Sequence, residues 1–111
     1  MMNGHSNHVG LRAALLVVGI AAVAGCVGIK LTAEGSQVRQ ARAEEVGACQ
    51  LVGKVTSNIP SKTLGRLSPG KVQEQLIVLA RNEAPGLGGD TIVPAGPVND
   101  GLQEFNVFRC R

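Results

Sequence analysis

The feature that most constrains this chain is an apolar run, Ala13 to Ala24, that leads directly into Gly25-Cys26. Small residues before a cysteine are typical of the site where a lipoprotein signal peptidase cleaves and where the cysteine thiol carries diacylglycerol. Arg12 gives the run a positive start, and the run is shorter than the roughly 20 residues of a membrane-spanning helix. We therefore predict a signal peptide at residues 1–25 and lipidation at Cys26.

Two alternatives to cleavage stay open. The apolar run can be extended to Ile29 as an uncleaved membrane anchor, although Gly25 and Gly28 interrupt it. It could also be a buried helix of a cytosolic protein. If the cysteine is lipidated, its acyl chains hold the protein on a bacterial membrane, since each buried methylene contributes about 0.8 kcal/mol. Val27 is not aspartate, which favours the outer membrane, with the protein facing the periplasm.

Removal of residues 1–25 leaves enough chain for one small domain. His5 and His8 lie in the removed part, and the whole chain has neither Trp nor Tyr. Without imidazole, the usual base for a serine or cysteine nucleophile and the commonest metal ligand are missing. We therefore expect no catalytic residues, no metal and no cofactor, and a non-enzymatic protein.

The three cysteines are predicted to have two different roles, one in lipidation and two in a disulfide. With Cys26 assigned to lipid, Cys49 and Cys110 remain as a pair that an oxidising compartment would join. Such a bond closes a loop of about 60 residues and is worth roughly 4 kcal/mol on the chain-entropy model. The alternative is a redox-active pair, which the wide spacing and the lack of a Cys-x-x-Cys motif disfavour.

Residues 26–46 are predicted to be a lipidated N-terminus and tether, and residues 47–111 a folded domain. Within the tether, Gln37 to Glu45 is compatible with a short strand around Val38 or with a helical turn. The domain begins with alternating apolar and polar residues from Cys49 to Thr56, which predict a strand.

A loop and a helix follow this strand. Pro and Gly residues predict that Ser57 to Gly70 is a loop. Ser68 suits a helix N-cap and Pro69 the first helical position. The helix then continues to Pro85-Gly86, which are predicted to end it abruptly. Its apolar stripe consists of Val72, Leu76, Leu79 and Ala80.

Two strands complete the domain: Thr91 to Val93, and Leu102 to Arg109 after a hairpin turn at Asn99-Asp100-Gly101. We predict an α+β fold, a small strand-helix-strand-strand domain with one helix packed on a short mixed sheet and braced by one disulfide. A right-handed crossover would make the first two strands parallel. The opposite sheet face is only partly covered unless Gln37 to Glu45 folds across it, and an uncovered apolar face would suit a partner.

Several short motifs in this order resemble a family of small bacterial lipoproteins of unknown function, a DUF family. They are Leu31-Thr32-Ala33-Glu34-Gly35, Cys49 with Leu51-Val52-Gly53-Lys54-Val55, Leu87-Gly88-Gly89-Asp90-Thr91-Ile92-Val93, and Phe108-Arg109-Cys110. More distantly, the layout is similar to the outer-membrane stress-sensor lipoprotein of the Rcs envelope pathway, which has two cysteines more for disulfides. The resemblance implies a location and a fold, and no activity.

The charge pattern suggests an anion-binding site. No acidic residue lies between Glu45 and Glu74, a stretch that contains Lys62, Arg66 and Lys71 in or beside the predicted loop. These cations could bind lipopolysaccharide phosphates, anionic lipid headgroups or peptidoglycan carboxylates. The alternative is an ordinary solvated loop.

An enzyme would need other residues. Asp90 and Asp100 flank the last two strands and are the one carboxylate pair that could act together. Gly86 to Asp90 lacks the Lys-Ser/Thr of a phosphate loop and is better explained by helix termination. A mild basic balance without stacking aromatics predicts no nucleic-acid binding. The sequence therefore favours an envelope interaction or stress-sensing module, with a structural component contacting peptidoglycan or lipopolysaccharide and an unrecognised enzyme as the alternatives.

Overall fold

A computed structural model describes residues 29–111, so the predicted signal peptide, 1–25, and the predicted lipidation site, Cys26, lie outside the described residues. A four-stranded mixed sheet and one main helix form an α+β fold, as the sequence predicts. The strands are β1 (Arg39–Gln40), β2 (Gln50–Asn58), β3 (Thr91–Pro94) and β4 (Leu102–Arg109), in the order β1-β3-β4-β2. The helices are α1 (Ser61–Leu64) and α2 (Pro69–Glu83), with 3-10 turns at Gly35–Gln37, Ala43–Glu45 and Ala84–Leu87.

The last strand, β4, lies in the middle of the sheet. It pairs antiparallel with both β2 and β3, and the short β1 pairs parallel with β3. Strands β2 and β3 therefore run in the same direction, as predicted, but β4 separates them. A bulge between Leu51 and Gly53 shifts the register near the start of β2.

The main core lies between α2 and one face of the sheet. The Ser68 hydroxyl accepts a hydrogen bond from Lys71 N–H at 3.3 Å, which confirms the predicted helix start. Three turns of the helix then bury Val72, Leu76 and Ala80, as the helical spacing predicts. Ala80 clusters with the buried sheet residues Ile92, Phe105 and Val107, and Val72 and Leu76 cluster with Ile59.

A smaller cluster covers part of the opposite face. Ala41, Val46 and Val93 are buried there, and Phe108 and the two cysteines pack against them. Cys49 and Cys110 form the predicted disulfide, with their Cα atoms 4.5 Å apart. The bond joins the residue before β2 to the residue after β4, so it fixes the two longest strands at one end of the sheet, which we call the disulfide end.

The other end of the sheet, the hairpin end, contains the predicted turn. Asn99 and Leu102 exchange backbone hydrogen bonds of 2.9 and 3.0 Å. Asp100 and Gly101 between them have φ values of 51° and 73°, the left-handed region that a two-residue turn of this kind requires. The hairpin prediction is confirmed.

Residues assigned to the tether belong to the fold from Gly35 onward. The Gln37 to Glu45 segment contains both alternatives, a strand and a 3-10 turn. Val38 is 2% exposed because it joins the main core, and the backbone N–H groups of Arg39 and Ala41 bond to Asp90 and Ile92. The folded unit therefore starts well before residue 47.

Two local predictions need correction. The loop predicted over Ser57 to Gly70 is shorter, because β2 continues to Asn58 and Ser61–Leu64 forms α1. The α-helix ends at Glu83, just before Pro85-Gly86, as predicted, but the end is not abrupt. Pro85 lies in the first turn of the 3-10 helix Ala84–Leu87, where its missing N–H costs nothing. Gly88, with φ of 80°, ends that turn.

Candidate functional site

The uncovered half of the sheet face opposite α2 is polar. On β2 and β4, cross-strand neighbours there are Lys54 with Asn106, Thr56 with Glu104, and Asn58 with Leu102. All except the half-buried Asn106 are exposed. The apolar partner surface considered from the sequence is absent from this half of the face, since the 41%-exposed Leu102 stands among polar groups.

Strand β2 leaves one edge of the sheet open. Ile59 N–H donates to Gly101 O at 2.8 Å. In an antiparallel pair, the N–H and C=O groups of every second residue point toward the partner strand, so those of Val55 and Ser57 also point toward β4. The backbone groups of Lys54, Thr56 and Asn58 then face the open edge. The bulge and the lysine protect this edge from unselective pairing.

A groove of about 560 Å³ lies along this edge, beside the end of α2. Its charged groups are Lys54 from the strand and Glu83 from the helix, so it combines both signs of charge with free backbone donors and acceptors. The other lining residues are Val55, Thr56, Asn82, Gly86 and Leu87. Leu87 is 41% exposed and gives the groove an apolar surface. An extended peptide segment could form backbone hydrogen bonds with β2 and place a side chain against Leu87.

The three predicted anion-binding residues lie in the segment that leads from β2 into α2. Lys62 is in α1, Arg66 is in the connection, and Lys71 is in the first turn of α2. Lys71 Nζ is 3.2 Å from Glu74 Oε1, an exposed pair that partly neutralises it. Lys62 and Arg66 form no ion pair with any residue from 29 to 111.

Arg66 borders a second groove, of about 480 Å³, at the hairpin end. The groove has a largely apolar floor and one guanidinium at its rim. Its lining residues are Ile29, Ile59, Pro60, Thr63, Arg66, Leu67 and Gln75. Ile29, the first described residue, therefore lies against the same segment that carries the two unpaired cations.

Asp90 anchors the end of the chain. Its carboxylate accepts hydrogen bonds from Cys110 N–H at 2.9 Å, Arg111 N–H at 3.0 Å and the Thr91 hydroxyl at 2.9 Å. Its side chain is 20% exposed. Burial raises the pKa of Asp90, but these hydrogen bonds and the Arg111 charge outweigh it, so the pKa lies below its ordinary value. Asp90 thus acts as an ionised structural anchor beside the disulfide.

Asp100 lies at the opposite end of the sheet. The eight residues of β4 separate the hairpin from the disulfide end, a length of about 27 Å at the usual rise per residue. Carboxylates that share a glycosidic substrate are within about 10 Å of each other. The pair considered for an enzyme is therefore not brought together.

The chain that leads into the fold is fixed by one side chain. Asn82, near the end of α2, accepts a hydrogen bond from Thr32 N–H and donates one to Lys30 O, both at 2.8 Å. Arg81 adds a bond from Nε to Val38 O at 2.7 Å. The segment from residue 30 to residue 38 is thereby attached to the last turn of α2.

A comparison with protein-family models finds the domain of unknown function DUF4156 at residues 29–110. The chain belongs to the DUF4156 family. No curated protein and no solved structure matches it.

The DUF4156 match begins at Ile29, so it includes the segment held by Asn82 and strand β1, and it ends at Cys110 of the disulfide. Between residues 29 and 111, no helix is long and apolar enough to cross a membrane. Over the same range, no three His, Cys, Asp or Glu side chains are grouped as a metal site.

Sequence reasoning missed the roles of Asp90, Asn82 and Gln103. Asp90 was considered as a catalytic group, and the donors that it binds come from residues 20 positions later. Gln103 is 4% exposed and links Gln73 to Gly96 O, at 2.8 and 2.9 Å. Gln103 alternates with Phe105 and Val107 along the strand, so it is on their inward-facing side, and this alternation was a usable signal. Asn82 gave no such signal, because it lies on the polar side of α2.

Proposed function

We propose that this DUF4156 protein is a lipid-anchored, non-enzymatic interaction module of the bacterial envelope, with the lipid on Cys26 and the domain in the periplasm. In this proposal, cleavage of the signal peptide leaves Cys26 at the N-terminus, and its lipid anchors the protein in the outer membrane. The partner is an envelope protein that adds an extended segment to the open edge of β2. If the protein is a stress sensor, binding or release of this partner by the domain would signal envelope stress.

The open edge of β2 is the observation that carries the proposal. It is nine residues long, and the groove beside it presents Lys54, Glu83 and an exposed Leu87. Main-chain hydrogen bonds at such an edge give affinity, and side-chain contacts select the partner. The chemistry that an enzyme would need has less support, since Asp90 is occupied by structural hydrogen bonds and Asp100 is remote from it.

A photo-crosslinking amino acid tests the proposal in cells. We would place it at Thr56, whose backbone faces the open edge, and as a matched control at the exposed Glu44, in the turn after β1. The expected result is a discrete protein adduct at Thr56 that is absent at Glu44. A proline at Asn58, whose backbone faces the same open edge, should weaken this adduct without unfolding the domain. Equal adducts at both positions, or none at Thr56 when the protein is present at normal level, would contradict the proposal.

A structural role is the second candidate, and the unpaired charges of Lys62 and Arg66 favour it. Those cations would bind peptidoglycan carboxylates or lipopolysaccharide phosphates. This candidate would be supported over the interaction module if the protein sediments with isolated cell-wall sacculi and the double variant Lys62→Gln with Arg66→Gln does not. Retention of sedimentation in that double variant would reject the cationic contact.

A further inference from the structure

The place where the chain joins the fold is defined by the groove that Ile29 lines and by hydrogen bonds near the end of α2. Ile29 lines the groove with Thr63 and Leu67, which precede α2, and with Gln75 in the middle of the helix. Lys30 and Thr32 bond to Asn82 near its end. Because Ile29 and Lys30 are consecutive, with Cα atoms about 3.8 Å apart, the chain enters the fold beside the middle of α2 and passes its end, with Ile29 lining the groove at the hairpin end.

The distance from this point to the predicted lipid is short. Two residues, Val27 and Gly28, separate Cys26 from Ile29, and these three steps along the chain span at most about 10 Å when fully extended. The interfacial layer on each side of a bilayer is roughly 5–8 Å thick. A lipid on Cys26 would consequently hold the hairpin end of the domain at the headgroups.

The hairpin end also has the charge that suits such a surface. Lys62 and Arg66 project from the segment that borders the groove, and neither is ion-paired within residues 29–111. The sequence has no acidic residue between Glu45 and Glu74. The nearby carboxylates are Asp100 in the hairpin turn and Glu74, and Glu74 is paired with Lys71. Asp100 carries one negative charge against the two positive charges of Lys62 and Arg66.

We propose that the hairpin end is a membrane-docking surface, on which Lys62 and Arg66 bind the phosphates of anionic lipid headgroups while α2 stands away from the bilayer. This inference rests on the lipidation in the proposed function. Helix α2, at 15 residues, is about 22 Å long, so docking raises the disulfide end by about that length. The groove beside Glu83 would then face away from the membrane, where a partner can reach it.

Tryptophan quenching tests this orientation, because the chain has no tryptophan of its own. Gly65 and Gly47 form a matched pair of sites, since both are exposed and a side chain at either would meet no atom within 4 Å. Gly65 follows α1 at the hairpin end, and Gly47 precedes Cys49 at the disulfide end. Each variant is made as the full chain, extracted from membranes and reconstituted into phosphatidylcholine–phosphatidylglycerol vesicles that contain headgroup-spin-labelled lipid.

We expect the Gly65→Trp protein to lose about half of its emission or more, because its reporter lies within roughly 10 Å of the quenching layer, and the Gly47→Trp protein to lose little. Lys62→Gln with Arg66→Gln, added to Gly65→Trp, should reduce the quenching in anionic vesicles and leave it unchanged in pure phosphatidylcholine. Lys71→Gln is the matched charge control and should change neither, since Lys71 is paired with Glu74. Added inorganic phosphate should not reverse the quenching if lipid headgroups are the ligand.

Equal quenching of the two reporters, or stronger quenching of Gly47→Trp, would overturn the orientation. An unchanged signal in the double glutamine variant, or reversal by inorganic phosphate, would overturn the headgroup contact. An intact mass of the same preparations separates these outcomes from failure of the proposed function. A protein without acyl mass rejects the anchor, whereas an acylated protein with equal quenching rejects the docking surface alone.

Discussion

Replacing Asp90 by asparagine keeps the shape of the side chain and removes the charge that holds the end of the chain. The carboxylate accepts two backbone hydrogen bonds, from Cys110 and Arg111. Asparagine retains one acceptor oxygen, and its amide NH₂ then faces a backbone N–H at the other position. Hydrogen bonds to charged groups contribute about 1.5–3 kcal/mol each, and the exposed Arg111 ion pair adds little. We expect a loss of about 2 kcal/mol at pH 7.

The pH dependence identifies the charge as the cause. The pKa of Asp90 is lower in the folded protein than in the unfolded chain. Its contribution to stability is therefore complete above the unfolded pKa and is lost as the pH falls through the folded pKa. The difference between wild type and Asp90→Asn should consequently be largest near neutral pH and should shrink in acid, where the protonated carboxyl resembles the amide.

Urea unfolding followed by far-ultraviolet circular dichroism measures this difference, since the chain has no Trp or Tyr to report by fluorescence. Asp100→Asn is the matched control. Asp100 forms no hydrogen bond or ion pair with a described residue, and asparagine tolerates its φ of 51°. We expect the control to lie within about 0.5 kcal/mol of wild type. An Asp90→Asn effect that is equal at neutral and acid pH, or no larger than that of the control, would refute the anchoring role.

Three further predictions use the same unfolding assay. Replacing Cys49 and Cys110 together by serine should cost about 4 kcal/mol, because their separation of 61 residues closes a long loop, and reductant should then have no additional effect; a loss below about 1 kcal/mol would contradict this. Ser57→Ala should stabilise by about 1 kcal/mol, since the hydroxyl is buried without a hydrogen-bond partner among residues 29–111, and a lower urea midpoint would count against that. Gly89→Ala should destabilise by about 3 kcal/mol or more, because its Cβ would overlap Val107, and a near-neutral result would show that the sheet yields there.

Local sequence signals predicted much of the fold. The Ser68 side chain caps α2 and the ring of Pro69 restricts φ to a helical value, so the start of α2 could be assigned without knowing what the helix packs against. Asn99-Asp100-Gly101 likewise specifies its turn through residues that accept positive φ. The disulfide followed from counting, once Cys26 was set aside.

The elements that were missed depend on distant partners. Strand β1 is only Arg39–Gln40, with both side chains exposed, and the backbone groups that hold this edge in place belong to Asp90 and Ile92. No alternation of apolar residues can mark so short a strand. Helix α1 has four residues, fewer than an amphipathic pattern needs.

The candidate sites were predicted less completely than the fold. The charge pattern identified Lys62, Arg66 and Lys71, but only contact geometry shows that Lys71 is paired and that Arg66 borders the groove with Ile29. The open edge of β2 could not be predicted, because the sequence does not reveal that β4 inserts between β2 and β3. Strand order is decided by packing and chain crossover, and these are not written in local periodicity.

An intact mass of the full protein extracted from membranes, measured with and without reduction, tests the central claim most directly. We expect a species that starts at Cys26, carries the mass of diacylglycerol and an amide-linked acyl chain, and gains two hydrogens when the Cys49–Cys110 bond is reduced. An unmodified chain that keeps residues 1–25 and has three free thiols would contradict both the lipid anchor and the oxidising compartment.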